Sequence, residues 1–366
     1  MRTLTALSRN PWIRGLAVVA SLALALAALW WQGPDWDTVY HAFDFVQWRW
    51  IVLAVALNLL SVLARAWAWN LTIHQAMPEP KPRFRSVFSA FGVGLLGNAV
   101  LPARAGELAR VAVLRRHLDA GPGSSATLLG TVFAHRVFDI FPIALLVGYV
   151  VLTAKLPDWA VTGIVTVGLV GVVLLTVAVL MARRTGDGPI HGERTVRRLV
   201  AMARQGLAVM RVPTAALAAI VLQIVGWTLQ LLAVWTVTEA FGLDVPLHAA
   251  ALVLLLMNVA TLFPLWPGNV GLLQAAVALP LVQYGVAYGT GFAYGLVLQA
   301  IEMSVGVGVG LAMLAREGLS FASLKRMEED EEERAEKVAD ASEPPPTDLL
   351  AAESEERLLT EGRSLR

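Results

Sequence analysis

The chain has 366 residues, of which 57% are apolar and 16% charged, with no Cys and a net charge of +1. Soluble domains run to about 45–50% apolar and about 25% charged, so this composition departs in the direction that lipid solvation requires. It excludes a soluble enzyme, a secreted disulfide scaffold and a coiled coil. The absence of Cys also removes disulfides, Fe–S clusters, thiolate zinc sites and cysteine nucleophiles. Nothing in it points to nucleic acid.

The small net charge hides two opposite halves: residues 1–324 carry a net of +8 and residues 325–366 a net of −7. A basic membrane domain (1–324) and a separate acidic tail (325–366) are therefore expected. Arg2, Arg9 and Arg14 precede an apolar run from Gly15 to Trp31. Ala25-Leu26-Ala27 mimics a signal-peptide cleavage site, but the Trp30-Trp31 pair reads as an interfacial anchor of a retained first span. The N-terminus is then cytoplasmic, and the following loop with Asp35, Asp37 and Asp44 lies outside.

A second span, about residues 50–73, contains Arg65 and ends at the basic, Pro-broken segment Lys81-Pro82-Arg83-Phe84-Arg85, which reads as cytoplasmic. Ser86 to Leu101 is apolar and Gly-rich, stops at Pro102, and is too short to cross about 30 Å of hydrocarbon. Ala103 to His117 follows. Two short pieces meeting near Asn98 and Pro102 predict a re-entrant hairpin from the cytoplasmic side. Spans three and four are expected at about 128–153 and 159–181. Seven arginines between Arg183 and Arg211 form a cytoplasmic loop able to attract anionic headgroups. Span five covers about 213–241 and leads to an outer loop with Asp244. His248 to Phe263 and Val270 to Tyr284, broken at Pro264, Pro267 and Gly268, predict a second hairpin entering from outside. Pro267 is placed as a first helical residue. The last span, about 288–314, returns to the cytoplasm, and the tail (Glu328 to Glu333, then Pro344-Pro345-Pro346) is expected to be disordered.

The expected fold is thus an all-α polytopic membrane protein with about six full spans and two oppositely oriented helical hairpins. If the hairpin pieces cross, the count becomes eight or so. Leu101-Pro102-Ala103-Arg104-Ala105-Gly106 and Phe263-Pro264-Leu265-Trp266-Pro267-Gly268 share an apolar-Pro-x-x-x-Gly pattern, each after an Asn and a full span. Inverted repeats with broken helices at mid-membrane are a common way to build a transport site.

Ionisable groups at membrane depth cost about 2.5–3.5 kcal/mol each on insertion scales, so each one marks a structural or functional constraint. Arg65 lies roughly 12 Å inside the end of its span; a structural pair and a charge lining a polar cavity both fit. Arg104, Glu107 and Arg110 recur every three residues on one helical face. A solvated face of ion pairs fits them, as does a carboxylate flanked by two guanidiniums offering forked hydrogen bonds to a phosphate. Asp139 lies i+3 from Arg136 and i+4 from His135 and can neutralise either; His135 is also a candidate proton relay. Glu302, one turn after Gln299, is open to a coupling-proton role or a pairing with Arg65. No metal-ligand spacing, nucleophile elbow or phosphate loop occurs, so neither a cofactor nor an enzymatic activity is expected.

The run from Gly97 to Arg110 resembles the lysylphosphatidylglycerol synthase transmembrane region, also called the flippase-like domain family. The family pattern N-x-x-L-P-x-R-x-G-E with a following basic residue is met by Asn98, Leu101, Pro102, Arg104, Gly106, Glu107 and Arg110. A basic residue shortly before an Asp in the next span is met by Arg136 and Asp139. The pattern P-x-x-P-G-x-x-G-x-x-[QE] is met by Pro264, Pro267, Gly268, Gly271 and Gln274. The resemblance covers about residues 12–316. It departs in the final span, where many members carry an Arg and this chain has Gln299 and Glu302. The 42-residue tail is too short for the aminoacyltransferase domain of some relatives, so lipid lysinylation is not expected. The resemblance implies a lipid translocase moving a phospholipid or polyprenyl-phosphate-linked lipid. Arg104, Arg110 and Arg136 would hold the phosphate, and Glu107 and Asp139 would order the arginines. A non-transporting scaffold of envelope lipid metabolism is the alternative.

Overall fold

The computed structural model describes residues 33–77, 81–100, 106–118, 124–154, 212–261, 269–323 and 326. Among the described residues the regular structure is helical, with no strand. Four helices are long and apolar enough to cross a membrane: α2 (Trp48–Ala76), α5 (Ser124–Thr153), α6 (Pro213–Ala240) and α9 (Tyr288–Arg316). At about 1.5 Å per residue each exceeds the hydrocarbon thickness. They are the expected second, third, fifth and last spans. The second, third and last are longer by a few residues because interfacial turns continue the helix, and the fifth matches its expected bounds within one residue. The expected first and fourth spans, the arginine-rich loop 183–211 and the acidic tail lie outside the described residues.

A short helix in the Asp-rich loop was not expected from the sequence: α1 (Trp36–His41), started by Asp35, whose carboxylate accepts from Asp37 N. The remaining helices are short. They are α3 (Phe84–Val100) and α4 (Gly106–Arg115), then α7 (Leu247–Ala260) and α8 (Leu272–Val282). Each pair folds back on itself. Gly97 and Gly94 of α3 meet Gly106 and Arg110 of α4 in antiparallel order, while the His248 ring at the start of α7 lies 5.7 Å from that of Tyr284 just after α8.

The two hairpins start from opposite ends of the molecule. α2 and α6 run antiparallel, since Gln47 N donates to Ala240 O at 2.9 Å and Ser61 Oγ donates to Gly226 O at 2.8 Å. α3 follows the far end of α2, whereas α7 follows the far end of α6.

Lipid supplies no hydrophobic drive between helices, so close approach at small residues does the packing. A Cβ added at Gly97 would lie 2.6 Å from Gly106 Cα, and one added at Gly94 would lie 2.9 Å from Gly106 O. α9 is the wall common to both hairpins. Its Gly310 meets Leu96 and Gly92 of α3, and its Gly291 and Gly295 meet Ala278, Gln274 and Val277 of α8.

The α-helix of the second arm begins at Leu272, after Gly271 at φ 92°, a left-handed value favouring Gly, where Gln274 Oε1 accepts from Gly271 N at 2.6 Å. The expected first helical residue, Pro267, lies outside the described residues. Asn269, at φ 47°, donates from Nδ2 to Ala260 O at 3.0 Å and so ties the start of α8 to the end of α7.

The apolar core is divided at mid-depth. One cluster gathers the start of α2, the ends of α5 and α6, both helices of the second hairpin and the start of α9. The other gathers the end of α2, both helices of the first hairpin, the start of α5 and the end of α9. On α2 the boundary falls between Ala54 and Val62, where Asn58 and Ser61 sit; on α5 between Val132 and Leu146, where His135, Arg136 and Asp139 sit; on α9 between Ile301 and Val305, where Glu302 sits. The polar side chains form a layer between two apolar bodies.

Candidate functional site

The layer is assembled from five elements. At its edge the first hairpin meets α5: Arg136 donates from Nε to Glu107 Oε1 at 2.7 Å, and its Nη2 donates to the same oxygen. Arg136 Nη1 reaches Asp139 Oδ2 at 3.4 Å. The partner of Glu107 is therefore Arg136, across the helix interface, and not Arg110 on its own face. The Arg136 side chain keeps 41% of its surface exposed, so this pair stands at the rim.

Arg110 has the opposite situation. It is only 4% exposed, its guanidinium carbon lies 4.8 Å from the Trp69 ring centroid and 5.8 Å from that of Phe91, and its Nε and Nη2 have no hydrogen-bond partner. Stacking on aromatic faces offsets part of the desolvation of a guanidinium. It does not satisfy the N–H donors, and unmet buried donors cost about 1–3 kcal/mol each. Gly94 makes room for the side chain: a Cβ there would lie 3.0 Å from Arg110 Cβ.

Asp139, 6% exposed, accepts from Gln223 Nε2 and from Trp227 Nε1, both at 2.9 Å. Its principal partners thus come from α6, and the i+4 pairing with His135 does not form. His135, 2% exposed, instead receives Gln223 Nε2 at its backbone oxygen at 3.2 Å, and its Nδ1 is unpartnered. Trp227 joins two charges: its N–H serves Asp139 while its ring carries the Arg65 guanidinium 5.0 Å from the centroid. Arg65 lies within electrostatic reach of Asp139 and Glu302, but its Nε has no hydrogen-bond partner. Glu302 accepts from Gln230 Nε2 at 3.1 Å, across to α6. Gln299 turns to the second hairpin, where Gln274 Nε2 donates to Gln299 Oε1 at 2.6 Å.

Of the residues expected from the sequence, the fold brings Glu107, Arg110, His135, Arg136, Asp139, Arg65 and Glu302 into one layer and sets Gln274 and Gln299 beside it. Asn98 lies at the tip of the first hairpin, its Oδ1 2.7 Å from where a Cβ on Gly106 would stand. Arg104, Pro102, Pro264, Pro267 and Gly268 lie outside the described residues. Gln223, Trp227, Gln230 and Trp69 were missed. A signal for three of them exists: Gln223, Trp227 and Gln230 fall at i, i+4 and i+7 on one face of an otherwise apolar span.

Four apolar spans, two opposed hairpins and a charged layer between two apolar bodies define a multi-pass helical membrane protein. The chain belongs to the family of the lysylphosphatidylglycerol synthase TM region, whose model matches residues 18–310. A UPF0104 membrane protein of Methanothermobacter thermautotrophicus is 24% identical over 290 residues, covering 73% of this chain and 82% of that protein. A UPF0104 membrane protein of Pyrococcus horikoshii is 26% identical over 130 residues, 35% of this chain and 37% of that protein, so the match spans little more than a third of its length. No solved structure matches.

Proposed function

We propose that the protein is a lipid translocase that moves a phospholipid or polyprenyl-phosphate-linked lipid between leaflets, in a cell membrane with both termini in the cytoplasm. The observation that carries this reading is the contrast between two neighbouring guanidiniums. Arg136 is exposed at the rim but its donors are turned to Glu107 and Asp139, whereas Arg110 is covered but holds unused donors. A lipid phosphate arriving at the rim competes with Glu107 for Arg136, since guanidinium forks bind phosphate and carboxylate alike. Once Glu107 is released, the ionic tie between α4 and α5 is gone, and the donors of Arg110 lie one turn away on the same hairpin. Arg104 is assigned the same phosphate-holding role on the family pattern. The acyl chains stay in lipid throughout, so only the headgroup needs the polar layer. Movement is downhill or ion-coupled, and no bond is made or broken.

The test is reconstitution in phosphatidylcholine–phosphatidylglycerol vesicles with a fluorescent short-chain phosphatidylglycerol, followed by dithionite quenching. Wild-type protein is expected to render both leaflets quenchable, with Arg136→Gln and Arg110→Gln slowed about tenfold or more, the worth of one charge-assisted contact. A quenchable fraction no different from protein-free vesicles overturns the reading in favour of a scaffold.

A further inference from the structure

A second cluster of charge lies far from the polar layer, at the end of the molecule where the first hairpin enters. There the start of α3, the segment after α4 and the end of α9 surround a cavity of about 300 Å³ lined by Arg85, Ser86, Arg116, His117, Arg316 and Glu317. Arg85, Arg116 and Arg316 come from three different elements, are exposed at the surface, and make no ion pair among the described residues. Three like charges converging on one space repel one another unless an anion completes the set.

The one acid in the cavity does not do so. Glu317 is turned into the protein, its side chain 7% exposed, where its Oε1 accepts from Ser89 Oγ at 2.5 Å and its Oε2 meets His117 Nε2 at 2.8 Å. Both oxygens are engaged by Ser89 and His117, and the carboxylate makes no ion pair with the three arginines. Glu317 therefore acts as a brace that locks α9 against the hairpin and fixes the floor of the cavity.

We propose that this cavity is a binding site for a phosphate-bearing anion, held by the forked donors of Arg85, Arg116 and Arg316 and distinct from the mid-depth layer. Guanidinium matches phosphate through paired N–H donors, and three of them from separate helices enclose a tetrahedral anion from several sides. Basic pockets between the ends of membrane helices take anionic lipid headgroups, and the same geometry accepts free phosphate. An occupant would also bridge α3, α4 and α9, and so hold the first hairpin against its wall. The site stands whether or not the protein moves lipid.

The experiment uses the full-length chain in two arms, with thermal unfolding and native mass spectrometry as readouts. In neutral detergent, sodium phosphate is titrated against sodium chloride at equal ionic strength. In nanodiscs, phosphatidylcholine is compared with phosphatidylcholine containing about 20 mol% phosphatidylglycerol, a typical anionic fraction. Stabilisation by phosphate alone identifies a free anion, and stabilisation by phosphatidylglycerol alone a headgroup; either is expected to vanish in the Arg85→Gln/Arg116→Gln/Arg316→Gln variant and to persist in Arg49→Gln, which removes a charge at the opposite end. Should the triple variant fail to fold, Arg116→Gln and Arg316→Gln decide singly, each expected to weaken binding about tenfold. No anion response in wild type, or an equal response in the arginine variants, overturns the proposal. A response that emerges only after residues 327–366 are removed also overturns it, because the acidic tail then fills the cavity in the intact chain.

Discussion

The two hairpins share an architecture and differ in chemistry. Each is a pair of short antiparallel helices packed on α9, and each places polar side chains near its tip. The first presents ions: Glu107 bonded to Arg136, and Arg110 stacked on Trp69. Among the described residues the second presents amides, with Gly271 N donating to Gln274 and Gln274 donating to Gln299 of α9. Neutral amides that satisfy one another cost little at membrane depth, whereas charges there are expensive even when paired. Among the described residues the two hairpins thus differ in electrostatic character, with ions at the first and neutral amides at the second.

Closure of the first hairpin is tighter than the packing of the second on α9, and this gives the largest expected effect. A Cβ on Gly106 would collide with Gly94 O and Asn98 N, both backbone atoms that cannot swing aside. Gly106→Ala is expected to cost about 3 kcal/mol or more, at the upper end of overpacking penalties, and to abolish a cooperative melt in detergent. Where α9 packs on the second hairpin, a Cβ on Gly291 would lie 3.0 Å from Ala278 Cα, so Gly291→Ala should cost about 1 kcal/mol. Gly148 has nothing within 4 Å, and Gly148→Ala should be neutral or stabilising by up to about 1 kcal/mol. Equal losses at Gly106 and Gly291 would erase the difference between these two contacts.

Removing charge sharpens the contrast next. Asp139→Asn keeps one acceptor for Gln223 or Trp227 but loses the carboxylate, and is expected to destabilise by about 1–3 kcal/mol. Glu107→Gln, at the exposed rim, should cost under about 1 kcal/mol in stability. Its effect should appear in transport instead, measured by the dithionite assay. A stability loss at Glu107 as large as at Asp139 would make the rim pair structural.

At the second hairpin, Gln299→Met leaves the Gln274 amide without its acceptor and should cost about 1–2 kcal/mol, because a buried donor is orphaned. The pair Gln274→Met/Gln299→Met should cost less than the sum of the single changes, since the orphan disappears. A double-mutant cycle on melting free energies checks this, and additivity would mean the two amides do not interact.

The smallest effect is expected outside the membrane, on α1. The Asp44 hydrogen bond, helped by Asp37, holds His41 above its ordinary value of 6.5. Its contribution to stability is therefore full below that ordinary value and fades as pH rises through the elevated one. The pair is exposed and salt-screened, so the change should be slight and absent in His41→Gln, as followed by melting against pH.

Much of the architecture was legible from local sequence. The four described spans, both breaks and the shortness of the hairpin arms follow from run length, Pro and Gly, since crossing hydrocarbon depends on a contiguous count of apolar residues. Arg65, Glu107, Arg110, His135, Arg136, Asp139 and Glu302 stood out because an ion at depth is conspicuous in any apolar run. The neutral residues that hold them did not. Gln223 and Trp227 carry no charge, and only their spacing on one face of α6 separates them from ordinary span residues.

By itself, then, the sequence determined the four described spans, the short arms of both hairpins, and which side chains carry an energetic debt in lipid, because each of these depends on residues close together in the chain. Only the tertiary structure decided how those demands are met. The Glu107 carboxylate goes to Arg136 across a helix interface, Asp139 goes to Gln223 and Trp227, and Arg110 is left with a ring beneath it and donors unused. The same is true of the cavity at Arg85, Arg116 and Arg316, three residues far apart in sequence. Which partners meet is fixed by the rotation of each helix about its axis and by where glycine permits two backbones to touch, and neither quantity is encoded in the periodicity of a single helix.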